Sequence, residues 1–220
     1  MLSAADPWIR WDWVASHGDV ILQRLREHVE LTLITLAIGL LISLPLGVIC
    51  WRFRRLYPPV LGVTGVIYTI PSLALLAFLI PFTGLTTTTA VIPLVSYTLL
   101  ILVRNVVAGL DAVPAEVRDS ARGMGFGRAR ELVAIDLPLA IPAIFAGIRI
   151  AAVTTIGLIT VTALIGEGGL GQLILDGLYR DFRTELVIGT QLCVVLSTVV
   201  EVGFRGIERA LTPWAGRRAP

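Results

Sequence analysis

The chain has 220 residues, of which 55% are hydrophobic and only 15% charged, with a mean hydropathy of +0.83. Soluble domains carry about 25% charge, so this composition excludes an ordinary water-soluble globule and points to an integral membrane protein. All 18 basic residues are arginine; without lysine the chain cannot furnish the lysine of a Walker A phosphate loop, and any ATP used on its behalf must be hydrolysed by another subunit.

In chain order, MLSAADPWIRWDWVASHGD lacks the basic-then-apolar order of a cleavable signal. Its aspartates with Trp8, Trp11 and Trp13 predict an external segment, residues 1–28, lying on the membrane surface. Five apolar stretches follow, at about 29–51, 60–82, 88–103, 139–165 and 186–204, each near the roughly 20 residues needed to cross a bilayer. The third is the least apolar, opening on threonines and carrying Pro93. Trp51 and Tyr57 after the first stretch fit an aromatic belt at the lipid–water boundary. Cys50 and Cys193 suggest neither a disulfide framework nor a metal site, and no cofactor is expected.

Within the second stretch, Pro71 removes a backbone hydrogen bond, and Thr69 and Ser72 can satisfy the freed carbonyl. A static kink and a moving, pathway-lining helix both fit, so Tyr68, Pro71 and Ser72 are pathway candidates, together with Tyr97. Arg149 lies eleven residues beyond Pro138, about 16 Å along a helix. At that depth an arginine must face protein or water; pairing with Glu201, snorkelling and a direct transport role all fit. The glycines of Gly166-Glu167-Gly168-Gly169-Leu170-Gly171 permit a tight outer turn, either a simple connection or a docking point for an external protein.

The arginines set the orientation. Arg52, Arg54 and Arg55 follow the first span; Arg104, Arg118, Arg122, Arg128 and Arg130 lie between the third and fourth; Arg205, Arg209, Arg217 and Arg218 close the chain. With five spans all three clusters share one face, which the positive-inside tendency makes cytoplasmic. The N-terminus is then outside, the C-terminus inside, and residues 113–137 form a cytoplasmic loop. On a helix Val117, Ala121 and Met124 share one apolar stripe, with Arg118 and Arg122 on another face. Gly125 and Gly127 can end or turn that helix, ARELVAIDL can form a second helical piece, and Asp136 before Pro138 can cap the fourth span. Such a helix could lie on anionic lipid or dock a partner.

The order Asp119-Ser120-Ala121, three residues, Gly125, nine residues, Ile135, one residue, Leu137-Pro138 closely resembles the EAA loop of ABC importer permeases, with Asp for Glu and Ser for Ala at its first two positions. YTIPSLALLAFLIPFTGL (68–85), RNVVAGL (104–110), LPLAIPAIFAGIRIA (137–151) and LIGEGGLGQLILDGL (164–178) are similar to the osmoprotectant branch, which carries glycine betaine, choline or carnitine. The resemblance implies an all-α polytopic permease of the type I importer kind, a single transmembrane domain over 1–220 with five transmembrane helices plus a cytoplasmic coupling helix, in a bacterial cytoplasmic (inner) membrane. It implies that Val117, Asp119, Ser120, Ala121, Met124, Gly125, Ile135, Leu137 and Pro138 form the element seated on cytoplasmic ATPase subunits. It further implies a second permease subunit, identical or paralogous, and an extracytoplasmic solute-binding protein. Few aromatics lie within the spans, so selection of a quaternary amine is expected in that binding protein. No nucleic-acid partner is expected.

Methionine-type permeases also have five spans and a similar glycine turn, so another solute is an open alternative. An intramembrane enzyme would need paired aspartates, a Ser or His base arrangement or HExxH in the spans, and His17 and His28 fall outside them. An ATP-independent channel would need an acidic ring or a carbonyl filter, neither of which is legible in the sequence.

Overall fold

The computed structural model describes residues 7–213, whose regular structure is all helical, with no strand among them. The helices are α1 (Trp11–Ser16), α2 (Gly18–Arg52), α3 (Tyr57–Thr69), α4 (Ser72–Thr83), α5 (Thr87–Asp111), α6 (Ala115–Gly123), α7 (Arg128–Glu131), α8 (Leu137–Thr162), α9 (Leu170–Tyr179) and α10 (Arg183–Leu211). An all-helical solution is what hydrocarbon demands, because each backbone polar group must then be satisfied within its own segment.

Four segments are long and apolar enough to cross a membrane alone: α2, α5, the continuous run Arg128–Ile165 and α10. The pair Arg54–Thr69 and Ser72–Thr83 reaches that length only together and is bent by 93°. The described residues divide into two compact units: 7–36, 70–95 and 152–199 form one, and 37–69, 96–151 and 200–213 the other. By length and composition the chain has four spans, or five when the bent pair is counted as one broken span.

α2 starts well before the predicted span. Residues 18–28, read with the surface segment, are its first three turns, and the charges there pair along the helix, Arg24 with Glu27 and Arg26 with Glu30, each at 2.8 Å. His28, expected outside the spans, is fully buried, its Nε2 3.1 Å from the Ile156 carbonyl oxygen. The glycine turn explains the burial. Gly169 has φ +49°, and a Cβ there would meet His28 at 2.7 Å, so the turn closes directly onto α2. In the same unit Leu31, Leu94 and Ile159 form one apolar cluster and Leu76, Ala90 and Ile165 another. The segment before α1 is tied down as well: the Arg10 amide donates to Thr184 Oγ1 at 3.0 Å, and Trp13 packs edge-on against Phe182.

In the other unit α5 is central, with Leu102, Val103, Val106, Val107 and Leu110 buried. A Cβ on Gly47 would lie 2.6 Å from Val106, and one on Gly147 2.5 Å from Asn105. Small residues thus let α2 and α8 approach α5 closely, which is how helices gain packing where lipid offers no hydrophobic contrast. α10 differs, with almost none of its apolar window buried. Both cysteines are free.

Candidate functional site

The segment between α5 and α8 begins at Pro114, whose extended backbone (φ −59°, ψ 140°) leads into α6. Glu116 in its first turn and Arg122 in its last each oppose the helix dipole favourably. The helix closes through paired bonds: the Phe126 amide donates to the Ala121 carbonyl at 3.0 Å and the Gly125 amide to that of Arg122 at 2.9 Å. This is a Schellman arrangement, and Gly125 holds its left-handed position at φ +83°. The second leg starts at Arg128, passes through a π-helical stretch Leu132–Asp136 and continues without a break into α8. Pro138 cannot donate to a carbonyl one turn back, and a widened turn just before it relieves that constraint.

Asp136 is therefore not a cap. It lies inside a continuous helical run, 1% exposed, and accepts a 2.8 Å bond from Arg118 Nε. Arg118 also donates to the Leu110 carbonyl and lies 5.0 Å over the Trp51 ring, so one side chain joins α6 to the ends of α2 and α5 and to the start of the α8 run. One turn along, Arg122 grips Glu131 with two bonds of 3.0 Å. The spacings explain the match: Arg118 and Arg122 are four apart on an α-helix, Glu131 and Asp136 five apart across a π turn, and each pair shares a face. Arg54 and Asp111 form a further paired contact between the ends of α2 and α5.

The predicted stripe is corrected at its centre. Ala121 is 0% exposed whereas Val117 is 37% and Met124 69% exposed, because the arginine contacts turn the middle of α6 toward its own chain. Asp119, Ser120 and Gly125 are exposed, and Ile135, Leu137 and Pro138 half-buried. Ser120 Oγ donates to the Glu116 carbonyl at 2.8 Å, and Asp119 lies 3.7 Å from Arg122. Sequence reasoning passed over Glu131 as a partner and took Asp136 for a cap. Their five-residue spacing ahead of a proline was the available signal.

The family described as binding-protein-dependent transport system inner membrane component matches residues 39–216. The chain belongs to that family. This permease is 35% identical over 202 residues to the choline transport system permease protein OpuBB of Bacillus subtilis (strain 168), covering 91% of this chain and 93% of that one. It is 37% identical over 204 residues to the carnitine transport permease protein OpuCB of Listeria monocytogenes, covering 92% and 93%. In fold it is similar to a chain of the MetNI methionine ABC transporter solved in inward facing conformations, with a TM-score of 0.81 at 24% identity over 90% of this chain and 98% of that one.

The permease's other predicted residues fall in separate places. Pro71 is not a kink inside a helix: it caps α4 in extended conformation (φ −56°, ψ 133°) at the 93° break. Thr69 Oγ1 donates to the Val66 carbonyl at 2.7 Å, not to that of Ile67, the carbonyl Pro71 cannot reach, and Ser72 is half-buried. Tyr68 and Tyr97 are brought together edge to face, ring centroids 5.8 Å apart, with Tyr97 buried and Tyr68 exposed. Arg149 lies 3.6 Å from Glu201 and 3.5 Å from Glu208 of α10, two carboxylates seven residues apart on one helix face. Pairing with Glu201 was among the alternatives open in the sequence; Glu208 as a second partner was not.

Proposed function

We propose that this permease passes a quaternary-ammonium osmoprotectant of the glycine betaine, choline or carnitine type, delivered from outside by a separate binding protein, and that cytoplasmic ATPase subunits drive it through α6. The observation that carries the reading is mechanical. α6 shows Val117 and Met124 to the surroundings while Arg118 and Arg122 tie its other side to Asp136 and Glu131 at the root of α8. A displacement applied to the exposed side is thus passed directly to a membrane-spanning helix. Ile135, Leu137 and Pro138 belong to this root, Asp119 and Ser120 to the rim of the contact, and Gly125 sets the direction in which α6 ends.

The arginine asymmetry supports an external N-terminus and a cytoplasmic C-terminus. The exposed apolar side of α10, with Val194, Val195, Val199 and Val202, supports a second permease subunit or lipid as its neighbour. The tight turn at Gly166–Gly169, held on His28, offers a binding protein a rigid contact. Tyr68, Tyr97, Pro71 and Ser72 around the break in span two, and Arg149, are the residues proposed to border the path. Names of relatives at 35% and 37% identity favour an osmoprotectant over methionine.

The test is co-expression with ATPase and binding-protein subunits, followed by uptake of radiolabelled glycine betaine, choline, carnitine and methionine. The Val117→Glu, Met124→Glu double variant is expected to reach the membrane, lose the co-purifying ATPase and stop uptake. Full ATPase retention in that variant would remove α6 from the coupling contact, and uptake of methionine alone would reassign the substrate.

A further inference from the structure

Beside the loop, a groove of about 690 Å³ is lined by Val48, Trp51 and Arg52 at the end of α2 and by Phe126, Arg128 and Leu132 of the loop, with Arg122, Glu131 and Asp136 at its wall. Both carboxylates in that wall are already engaged, Glu131 by Arg122 and Asp136 by Arg118. Arg52 and Arg128 remain, both exposed, and neither forms an ion pair among the described residues. The groove therefore combines two guanidinium groups that hold no direct ion pair among the described residues with an apolar and aromatic floor. It sits where a 35-residue helix with a long apolar stretch ends in a tryptophan and an arginine, the arrangement of a membrane–water boundary.

We propose that this groove binds the headgroup and upper acyl chains of an anionic phospholipid. A phosphate carries the charge that Arg52 and Arg128 lack, and guanidinium recognises phosphate through paired bonds. Acyl methylenes match Val48, Leu132 and the rings of Trp51 and Phe126. The exposed apolar residues of α6, Val117 and Met124, are not among those lining the groove, whereas Arg122 of the same helix is. The site itself does not depend on the coupling reading above; only the leaflet, the cytoplasmic one, rests on the proposed orientation. A bound lipid would wedge α2 and the loop at the point where Arg118 also stacks on Trp51.

The complex, purified in mild detergent, is delipidated and presented with phosphatidylglycerol or phosphatidylcholine, and retained lipid is counted by native mass spectrometry. Phosphatidylglycerol is expected to be retained in preference. One arginine near an anionic lipid surface corresponds to about a five-fold change in binding, so Arg52→Gln and Arg128→Gln should each weaken retention by about that factor, while Arg209→Gln, outside the groove, should leave it unchanged. Equal retention in the parent and the double variant would overturn the proposal. So would retention that inorganic phosphate abolishes at equal concentration, because the apolar floor would then contribute nothing. Loss of the ATPase from the double variant with lipid retention intact would assign the groove to a protein contact instead.

Discussion

At the scale of single residues, Gly125 and Arg118 carry the loop for different reasons. Gly125 has φ +83°, and a Cβ added there would meet nothing within 4 Å. Its replacement is penalised by backbone conformation alone, about 1 to 2 kcal/mol for an L-residue in the left-handed region. Gly125→Val is expected to leave the permease inserted but to loosen the end of α6 and lower uptake per ATP hydrolysed, whereas Gly125→Asn, which tolerates that region, should stay near the parent. Parallel measurements of ATPase activity and uptake check this, and equal coupling in all three proteins would count against it. Arg118 acts through charge. Removing it leaves Asp136, 1% exposed, without its cation, and stripping one partner from a buried pair costs about 3 kcal/mol or more. Arg118→Gln should therefore lower the thermal unfolding midpoint in detergent, and adding Asp136→Asn should recover part of the loss. An unchanged midpoint in the single variant would show that the pair stabilises nothing.

At the scale of elements, the broken second span is where proline chemistry governs shape. Pro71 offers no N–H to the carbonyl of Ile67 and keeps Ile70 out of the helical region, and the two helices meet at 93°. Alanine lifts both restrictions. In Pro71→Ala, α3 and α4 are expected to fuse toward one straighter helix, with normal membrane levels and reduced uptake. Spin labels at Val60 and Phe82 should then lie farther apart than in the parent. An unchanged separation would mean that neighbouring packing, not Pro71, imposes the bend. The same scale explains why the loop was only partly legible. Helical spacing placed Val117, Ala121 and Met124 on one stripe and Arg118 and Arg122 on another, but the π turn before Pro138 shifts every later side chain by one position. Pairing Arg122 with Glu131 and Arg118 with Asp136 needed that shift to be known.

For the whole molecule, the proposed five-crossing topology puts the loop and the arginines after the first span and near the C-terminus on one face. A reporter inserted after Leu56 or Gly125 is expected to be cytoplasmic, and one after Thr86 or Arg180 external. Labelling of a cysteine at Thr86 by a membrane-impermeant reagent only from inside would leave the bent pair as a re-entrant loop and reduce the crossings to four.

Membership in the membrane class, the approximate places of the long apolar segments, a departure from straight helix at Pro71 and the left-handed glycine ending α6 all follow from the sequence. Each depends on hydropathy summed over about twenty residues or on the covalent restrictions of proline and glycine, and these act locally. Tertiary structure alone decided that Ala121 faces inward, that His28 lies under the glycine turn, that Arg149 meets Glu208 as well as Glu201, and that Asp136 is a buried anchor. Periodicity shows which residues share a helix face, but not what that face meets. In a bilayer the ambiguity is deeper, because lipid and protein interior are equally apolar. The nearly bare α10 and the buried α5 carry similar hydropathy, and only the packing of one helix against another distinguishes them.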